Sequence, residues 1–258
     1  MITHKDRVVG ILDGDIIAVR AAAVNDGGDP DDIAGTIHHL VREWTEMAHA
    51  DTCKVFITEG RCFRYDAYPD YKANRKNKPK PAGTDWAREY ILDHWDQEVS
   101  NPKYEADDRM GLYATEETDE VRIIVSTDKD MRQIPAWQMS PDHHRFPWKP
   151  DKVFINAWRA EQILTGDTVD GYPGLKLSPQ VKRFGPAMFQ KAVDAYIDWD
   201  EANHLDYRWS GWEEFCKEAY WDKDLTTEDY LSQLHCATIL HHQLEPEYIH
   251  SIQDLYNC

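Results

Sequence analysis

Three short acidic stretches carry the chemistry of this chain: YEADD at 104–108, STDKD at 126–130 and GDTVDGYPG at 166–174. They set seven carboxylates, Glu105, Asp107, Asp108, Asp128, Asp130, Asp167 and Asp170, beside residues that read as strand ends and helix starts. Two further acids close apolar runs, Asp13 in ILDGD and Glu59 in VFITEG. Carboxylates crowded into one pocket repel each other strongly at low dielectric unless divalent cations sit among them. Magnesium takes oxygen ligands and keeps several waters, so a loose ring of carboxylates suits it better than a closed cage of histidine or cysteine. The pattern therefore points to a two-metal nuclease.

Each motif also has an ordinary reading. Glu105, Asp107 and Asp108 suit the first turn of any helix, where the dipole favours negative charge. STDKD reads equally as a strand-exit loop with an Asp N-cap, and GDTVDGYPG as a Gly/Pro turn with solvated acids. What these readings leave unexplained is that every strand end and adjoining helix start bears an acid.

A basic run, YKANRKNKPK at 71–80, carries five cationic residues and no acid. If 71–77 is helical, Lys72, Arg75 and Lys76 share one face. A charge run is often only a solvated surface. Here Tyr65, Tyr68 and Tyr71 interleave with Arg64 and Lys72, which is the mixture of flat rings and cations that a single-strand funnel needs. Pro79 and Pro81 end any helix there.

The elements that must position these residues follow from periodicity. RVVGILD at 7–13, KVFIT at 54–58 and VRIIVS at 121–126 read as buried strands. Helices are expected through IIAVRAAAV, at about 31–49, 85–98 and 105–117. From about 157 onward the pattern is helical, with TTEDYLSQLHCATILHH at 226–242 capped by Thr226 or Thr227 and burying Leu231, Leu234 and Ile239. Strands alternating with helices predict an α/β fold with a central, mostly parallel sheet flanked by helices, and such sheets bind ligands at the carboxyl ends of their strands. Asp13, Glu59 and Asp128 all fall at such ends.

The 258 residues suffice for a proper core. A formal charge of −18 is unusual for a nucleic-acid partner, so the charge must be read locally, with metal ions offsetting the clustered acids. Five cysteines without paired CxxC spacing suggest a reduced, cytoplasmic protein rather than a zinc or disulfide framework. The N-terminal apolar run is broken by Asp13, Asp15 and Arg20 and fits neither a signal peptide nor a membrane span. Adjacent histidine pairs at 38–39, 143–144 and 241–242 lack metal-binding helical spacing.

In order, LDGD at 12–15, the FITEG position, FRYDAYPDYKANRKNKPKP at 63–81, YEADD, VSTDKDMRQIP at 125–135 and GDTVDGYPG resemble the flap endonuclease and 5′-to-3′ exonuclease group with its PIN-like nuclease core, and most of all the podovirus (phage) 5′-to-3′ exonucleases. The resemblance runs over roughly residues 7–190. It implies a PIN-like core at 1–165 with a basic arch at about 60–97, then a helical region at 166–258 holding a degenerate helix-hairpin-helix element at about 166–195. It implies that Asp13, Glu59, Glu105, Asp107, Asp108, Asp128, Asp130, Asp167 and Asp170 ring two Mg2+ ions, with Mn2+ as a substitute. Asp107 stands near the middle, Asp13 and Glu59 toward one ion, and Asp128, Asp130, Asp167 and Asp170 toward the other. Lys72 and Arg75 steer the scissile phosphate, while Arg64, Lys76, Lys78, Lys182, Arg183 and Lys191 contact DNA. The family usually has Asp where this chain has Glu59. PGLKLSPQVKRFGPAMFQKAV also interposes residues between Gly174 and Gly185, which departs from the hairpin that holds K+ in relatives.

The activity so implied is two-metal hydrolysis of DNA from 5′ ends, with 5′ flaps and RNA in RNA:DNA hybrids as further substrates, in phage replication and recombination within the host cytoplasm. A PIN-type ribonuclease shares the acidic sheet edge but usually lacks the arch and the later helices. A noncatalytic nucleic-acid module, or an interaction protein with an acidic face, would have little reason to keep nine mutually repelling carboxylates.

Overall fold

The computed structural model describes residues 7–26, 28–76, 78–95, 101–143, 146–199 and 209–244. In chain order its elements are β1 (Val8–Asp13), α1 (Gly14–Val24), α2 (Pro30–Met47), β2 (Thr52–Phe56), α3 (Arg64–Ala67), α4 (Thr84–His94), α5 (Ala106–Thr115), β3 (Val121–Val125), β4 (Trp137–Met139), α6 (Lys152–Thr165), α7 (Pro186–Trp199), α8 (Trp209–Trp221) and α9 (Thr227–Ala237). The chain forms two compact units, one of Met1–Cys62, Pro79–Pro150 and Ile239–Gln243, the other of Phe63–Lys78, Asp151–Thr238 and Leu244–Cys258.

The first unit is built on a four-stranded sheet in the order β2-β1-β3-β4 with every pairing parallel. The whole of β1 is buried, as expected for a central strand covered on both faces. One face packs Leu12, Val55 and Val125 against α1, α2 and α4 through Ile17, Ile37, Trp44 and Ile91. The other packs Ile11, Phe56 and Ile124 against α5 through Ala106, Met110 and Tyr113. The α/β class and parallel sheet expected from the sequence are thus observed.

Two glycines permit close approaches that a side chain would block. A Cβ at Gly14 would lie 2.5 Å from the Phe56 carbonyl oxygen, so α1 can begin directly beside β2. A Cβ at Gly111 would collide with the Leu240 carbonyl oxygen, where Ile239–Gln243 returns across α5. That return is tied by the Ile239 amide to Gln133 Oε1 at 3.3 Å, the Leu240 amide to Asp108 Oδ1 at 3.0 Å and the His242 amide to Thr115 Oγ1 at 2.9 Å.

Several expectations are corrected in detail. Helix α2 opens at Asp29 and Pro30, just before the start expected at about 31, because the Asp29 side chain accepts from the Asp31 amide and Pro occupies the first helical turn. Strand β4 was not anticipated; it is only three residues long, too short for a periodic signal, and lies between Pro135 and Pro141. Residues 71–77 are not an α-helix: Lys72 takes a left-handed φ of 54° and only Ala73–Arg75 forms a 3-10 turn, so Lys72, Arg75 and Lys76 do not share a helical face. Residue 77 of that stretch lies outside the described residues, as does the end of the helix expected at 85–98. The stretch expected as an arch over about 60–97 is not one element, because Ala87 and Ile91 of α4 are buried in the first unit's core while Phe63–Lys78 belongs to the second unit. Helix α9 ends at Ala237, Leu231 on it is only half-buried, and Ile239 is buried from the extended segment beyond it.

The second unit joins α3 and the basic segment to α6–α9. Thr226 caps α9 through a reciprocal pair with Asp229, as the sequence suggested. The Tyr220 hydroxyl donates to the Ile163 carbonyl at 2.9 Å, and the Gly174 amide donates to Gln233 Oε1 at 2.9 Å. Phe189, Tyr196, Trp212 and Phe215 make a cluster of ring contacts at centroid separations of 5.0 to 6.4 Å. Compact units that are interleaved in sequence differ from a linear division near residue 165, since α6 packs with α7, α8 and α9. Among the described residues no helix is long and apolar enough to cross a membrane.

Gly111→Ala is expected to lower stability by about 1–3 kcal/mol, because the added methyl group must displace backbone rather than a flexible side chain. Urea unfolding of the two proteins checks this, and equal midpoints would contradict it.

Candidate metal centre

Asp13 is the last residue of β1 and the N-cap of α1, with its Oδ1 accepting from the Ile16 amide at 3.1 Å. Its other oxygen accepts from the Ser126 hydroxyl at 2.7 Å, at the end of the neighbouring strand β3. The carboxyl is only 2% exposed. Burial, then the neighbouring Asp15 and Asp128 charges, push its pKa from 3.8 to about 7, against the lowering effect of the two hydrogen bonds.

Asp128 stands at the matching end of β3. Its amide donates to the Ser126 hydroxyl oxygen at 2.9 Å, and its side chain caps the following 3-10 turn by accepting from the Asp130 amide at 2.8 Å. The parallel pairing of β1 with β3 sets Leu12 opposite Val125, so the residues that follow both strands emerge at one edge. Ser126 therefore bridges Asp13 and Asp128 directly.

Helix α5 starts just beyond. Glu105 and Asp108 form a capping box, with the Glu105 amide donating to Asp108 Oδ2 at 3.1 Å. Asp108 is fully buried and its Oδ1 receives the Leu240 amide, so this acid ties the helix start to the returning segment. That departs from the metal-ligand role expected of it: as placed, both oxygens serve backbone amides. Glu105 is 7% exposed and Asp107 is half-buried on the first turn of the same helix.

Glu59 was expected at an ion, and the structure pairs it with Arg109 at 2.7 Å. Arg109 is fully buried and also donates to the Ile57 carbonyl at 2.7 Å. Glu105, the N-cap of α5, and Arg109 on its first turns are four residues apart, a spacing legible in the sequence. Asp15 is a further acid beside Asp13. It accepts from the Thr58 hydroxyl at 2.6 Å and forms an ion pair with Arg88. Arg88 sits on α4, distant in sequence, so only the fold reveals the pairing. Among the described residues no three His, Cys, Asp or Glu side chains stand together as a group that could hold an ion in the present arrangement. The arginines explain this, since Asp15 and Glu59 are turned onto cations.

The donor set nevertheless fits a hard cation. It consists of carboxylate oxygens at the carboxyl ends of parallel strands, and the raised Asp13 pKa reflects burial first and the Asp15 and Asp128 charges after it.

The second unit holds the remaining expected residues. Asp167 is 5% exposed and accepts from the Val169 amide at 2.6 Å and the Asp170 amide at 3.2 Å, shaping the 166–174 turn. Asp170 accepts from the Tyr71 hydroxyl at 3.0 Å, pairs with Arg75 and lies 3.8 Å from Lys72 Nζ. Arg75 also donates to the Val169 carbonyl at 3.1 Å and Asn74 to the Thr168 carbonyl at 2.5 Å. The basic segment thus grips the acidic turn. Arg64 is corrected: it is 2% exposed and donates to the Thr238 carbonyl at 2.7 Å, so it is a packing residue with no surface to offer DNA. Lys76, Lys78, Lys182, Arg183 and Lys191 are exposed, Lys182 and Arg183 immediately before α7 and Lys191 on it.

A family model described as 5′-3′ exonuclease, N-terminal resolvase-like domain matches residues 9–145, a little over half of the chain. The chain is 31% identical over 121 residues to the exodeoxyribonuclease of Enterobacteria phage T3, covering 42% of this chain and 37% of that protein. It is 28% identical over 171 residues to the 5′-3′ exonuclease of Bacillus subtilis strain 168, covering 59% of this chain and 57% of that protein. The chain therefore spans less than two thirds of the length of either relative. In fold it is similar to the phage T5 5′-exonuclease with zinc bound, at a TM-score of 0.58 and 16% identity, covering 97% of this chain and 99% of that one. It is also similar to the T5 D15 flap endonuclease in a pseudo-enzyme–product complex with DNA and metal ions, at 0.55 and 14%, covering 98% and 100%.

The Asp13 environment predicts a pH signature in EDTA. The folded-state pKa is raised, so the contribution of this group is fully present below pH 3.8 and is lost as pH rises through about 7. The upper limit of the loss is about 4 kcal/mol at 1.36 kcal/mol per unit. Asp13→Asn is accordingly expected to melt several degrees above wild type at pH 8 and no higher at pH 4, with Mg2+ narrowing the gap at pH 8. Melting curves of both proteins check this, and a pH-independent difference would refute the assignment. With the motifs, the sheet edge and the sequence match in agreement, the chain belongs to the 5′-3′ exonuclease family defined by the N-terminal resolvase-like domain.

Proposed function

We propose that the chain is a divalent-metal-dependent 5′-to-3′ nuclease that degrades double-stranded DNA from 5′ ends and also cuts 5′ flaps and the RNA strand of RNA:DNA hybrids. The observation that carries this reading is the buried Asp13 carboxyl at the carboxyl end of the central strand, bridged through Ser126 to Asp128 at the end of the neighbouring one. Near neutral pH such a site takes up a proton or a cation. Family membership and the likeness to a T5 endonuclease whose structure contains DNA and metal ions support the cation.

Mg2+ is the ion this oxygen-only donor set favours, with Mn2+ as a substitute. Asp13, Asp128 and Asp130 from the strand ends, with Glu105 and Asp107 from α5, would hold metal in the first unit. When bound, the ions lower the pKa of an attacking water and stabilise the leaving oxygen. Ser126 fixes the donors to each other, donating to Asp13 while receiving the Asp128 amide. Asp167 and Asp170 keep the metal-ligand role that the family resemblance gives them. Lys72 and Arg75 now hold Asp170, so their role in steering phosphate requires exchange of that partner. The exposed Lys76, Lys78, Lys182, Arg183 and Lys191 supply phosphate contacts that position the substrate without reading its sequence. Replication and recombination in the cytoplasm of an infected host are the setting proposed for this work, and likeness to a phage exodeoxyribonuclease supports a phage origin.

The test uses a 5′-labelled duplex, a 5′-flap substrate and an RNA:DNA hybrid, with Mg2+ or EDTA, beside an Asp128→Ala, Asp130→Ala double variant. Mg2+-dependent release of 5′-phosphorylated mononucleotides or short oligonucleotides is expected. The double variant should lose at least about 100-fold, since even outer-shell partners of a metal are worth about 10- to 100-fold. DNA binding without cleavage of any substrate would sink the catalytic reading and leave a nucleic-acid-binding module.

A further inference from the structure

Between the turn that follows β3 and the segment around β4 lies a cavity of about 290 Å³. Ligand pockets begin at about 300 Å³, so the space is of a size for one small molecule and not for a run of nucleotides. Its wall is unusual for a chain of charge −18: Lys129, Arg132 and His143 line it, and Asp128 is the acid among the described lining residues. Trp148 lines it too, held in place by backbone hydrogen bonds with Gln138 of 2.9 Å in both directions. The Ser140 hydroxyl, also in the wall, is buried and has no hydrogen-bond partner among the described residues. A buried hydroxyl left unsatisfied calls for a ligand or water to complete it.

We propose that this cavity is a subsite for a single nucleoside 5′-monophosphate. Arg132 offers a planar fork for phosphate oxygens, with Lys129 and His143 adding donors and Ser140 Oγ completing its hydrogen bonding on the ligand. The Trp148 ring provides a flat wall on which any base can stack. Asp128 borders both this cavity and the metal centre, so the nucleotide would lie directly beside the proposed site of hydrolysis. The identity of the ligand rests on the nuclease reading, which supplies it as a released product or as the 5′-terminal nucleotide of the strand.

Calorimetric titration of the full chain in EDTA removes divalent ions from the question. The probes are dAMP, deoxyadenosine, inorganic phosphate, and a dinucleotide with either a 5′-phosphate or a 5′-hydroxyl. dAMP should bind, with deoxyadenosine and phosphate each at least about tenfold weaker. Arg132→Gln and Ser140→Val should each weaken dAMP by about tenfold or more at an unchanged melting temperature, and Arg132→Lys, which keeps charge without the fork, should fall between. Either order of affinity between dAMP and the 5′-phosphorylated dinucleotide supports the subsite, the first assigning it to product and the second to the strand terminus. Failure of dAMP to bind, equal binding of inorganic phosphate, or variants that bind like wild type would each overturn it. Cleavage assays in Mg2+ on the same preparations keep the two readings apart. Cleavage without dAMP binding removes the subsite alone, and dAMP binding without cleavage removes the nuclease reading alone.

Discussion

The constraint on which the first unit depends is a carboxylate confined where charge is costly. Asp13 ends a strand buried on both faces, beside Asp15 and Asp128, and receives only two hydrogen bonds. It cannot be moved to solvent without unthreading β1 from the middle of the sheet. Its position at the start of α1 supplies part of the compensation, because the amides of a helix N-terminus favour negative charge. The raised pKa records how incomplete that compensation is.

The surrounding acids are managed in different ways, and each way uses a residue supplied by the fold. Asp15 and Glu59 meet arginines, one from α4 and one from α5. Asp108 is consumed by backbone amides, one of them from the segment that returns after α9. Asp128 is turned toward its own 3-10 turn. Asp13 is left with two hydrogen bonds and a pKa raised to about 7, chiefly by burial. Gly14 and Gly111 belong to the same arrangement, since they let α1 and the returning segment come close enough to deliver these contacts.

In the second unit the charge logic is reversed. A basic segment with no acid of its own between 71 and 80 folds onto the turn that carries Asp167 and Asp170. Tyr71, Lys72 and Arg75 converge on Asp170, and Asn74 secures the backbone beside it. This pairing gives the segment a defined shape despite two nearby prolines.

The sequence by itself determined the class of the fold and the acidic chemistry. Runs such as VVGIL and IIV are apolar and read as buried strands, and the acids that close them fall at one sheet edge once the strands run parallel. Local rules also narrowed the α9 cap to Thr226 or Thr227 and gave the boundaries of α5 to within two residues. Only the tertiary structure decided which acids are left to act. Arg88, Arg109, Ser126 and the Leu240 amide reach their carboxylates across 50 to 132 positions of chain, and no periodicity or local pattern encodes such meetings. Arg64 reads as a surface cation next to tyrosines and is buried because its partner, the Thr238 carbonyl, lies 174 residues away. Sequence patterns specify what each short segment prefers, whereas the state of a charge is set by everything brought within a few ångströms of it.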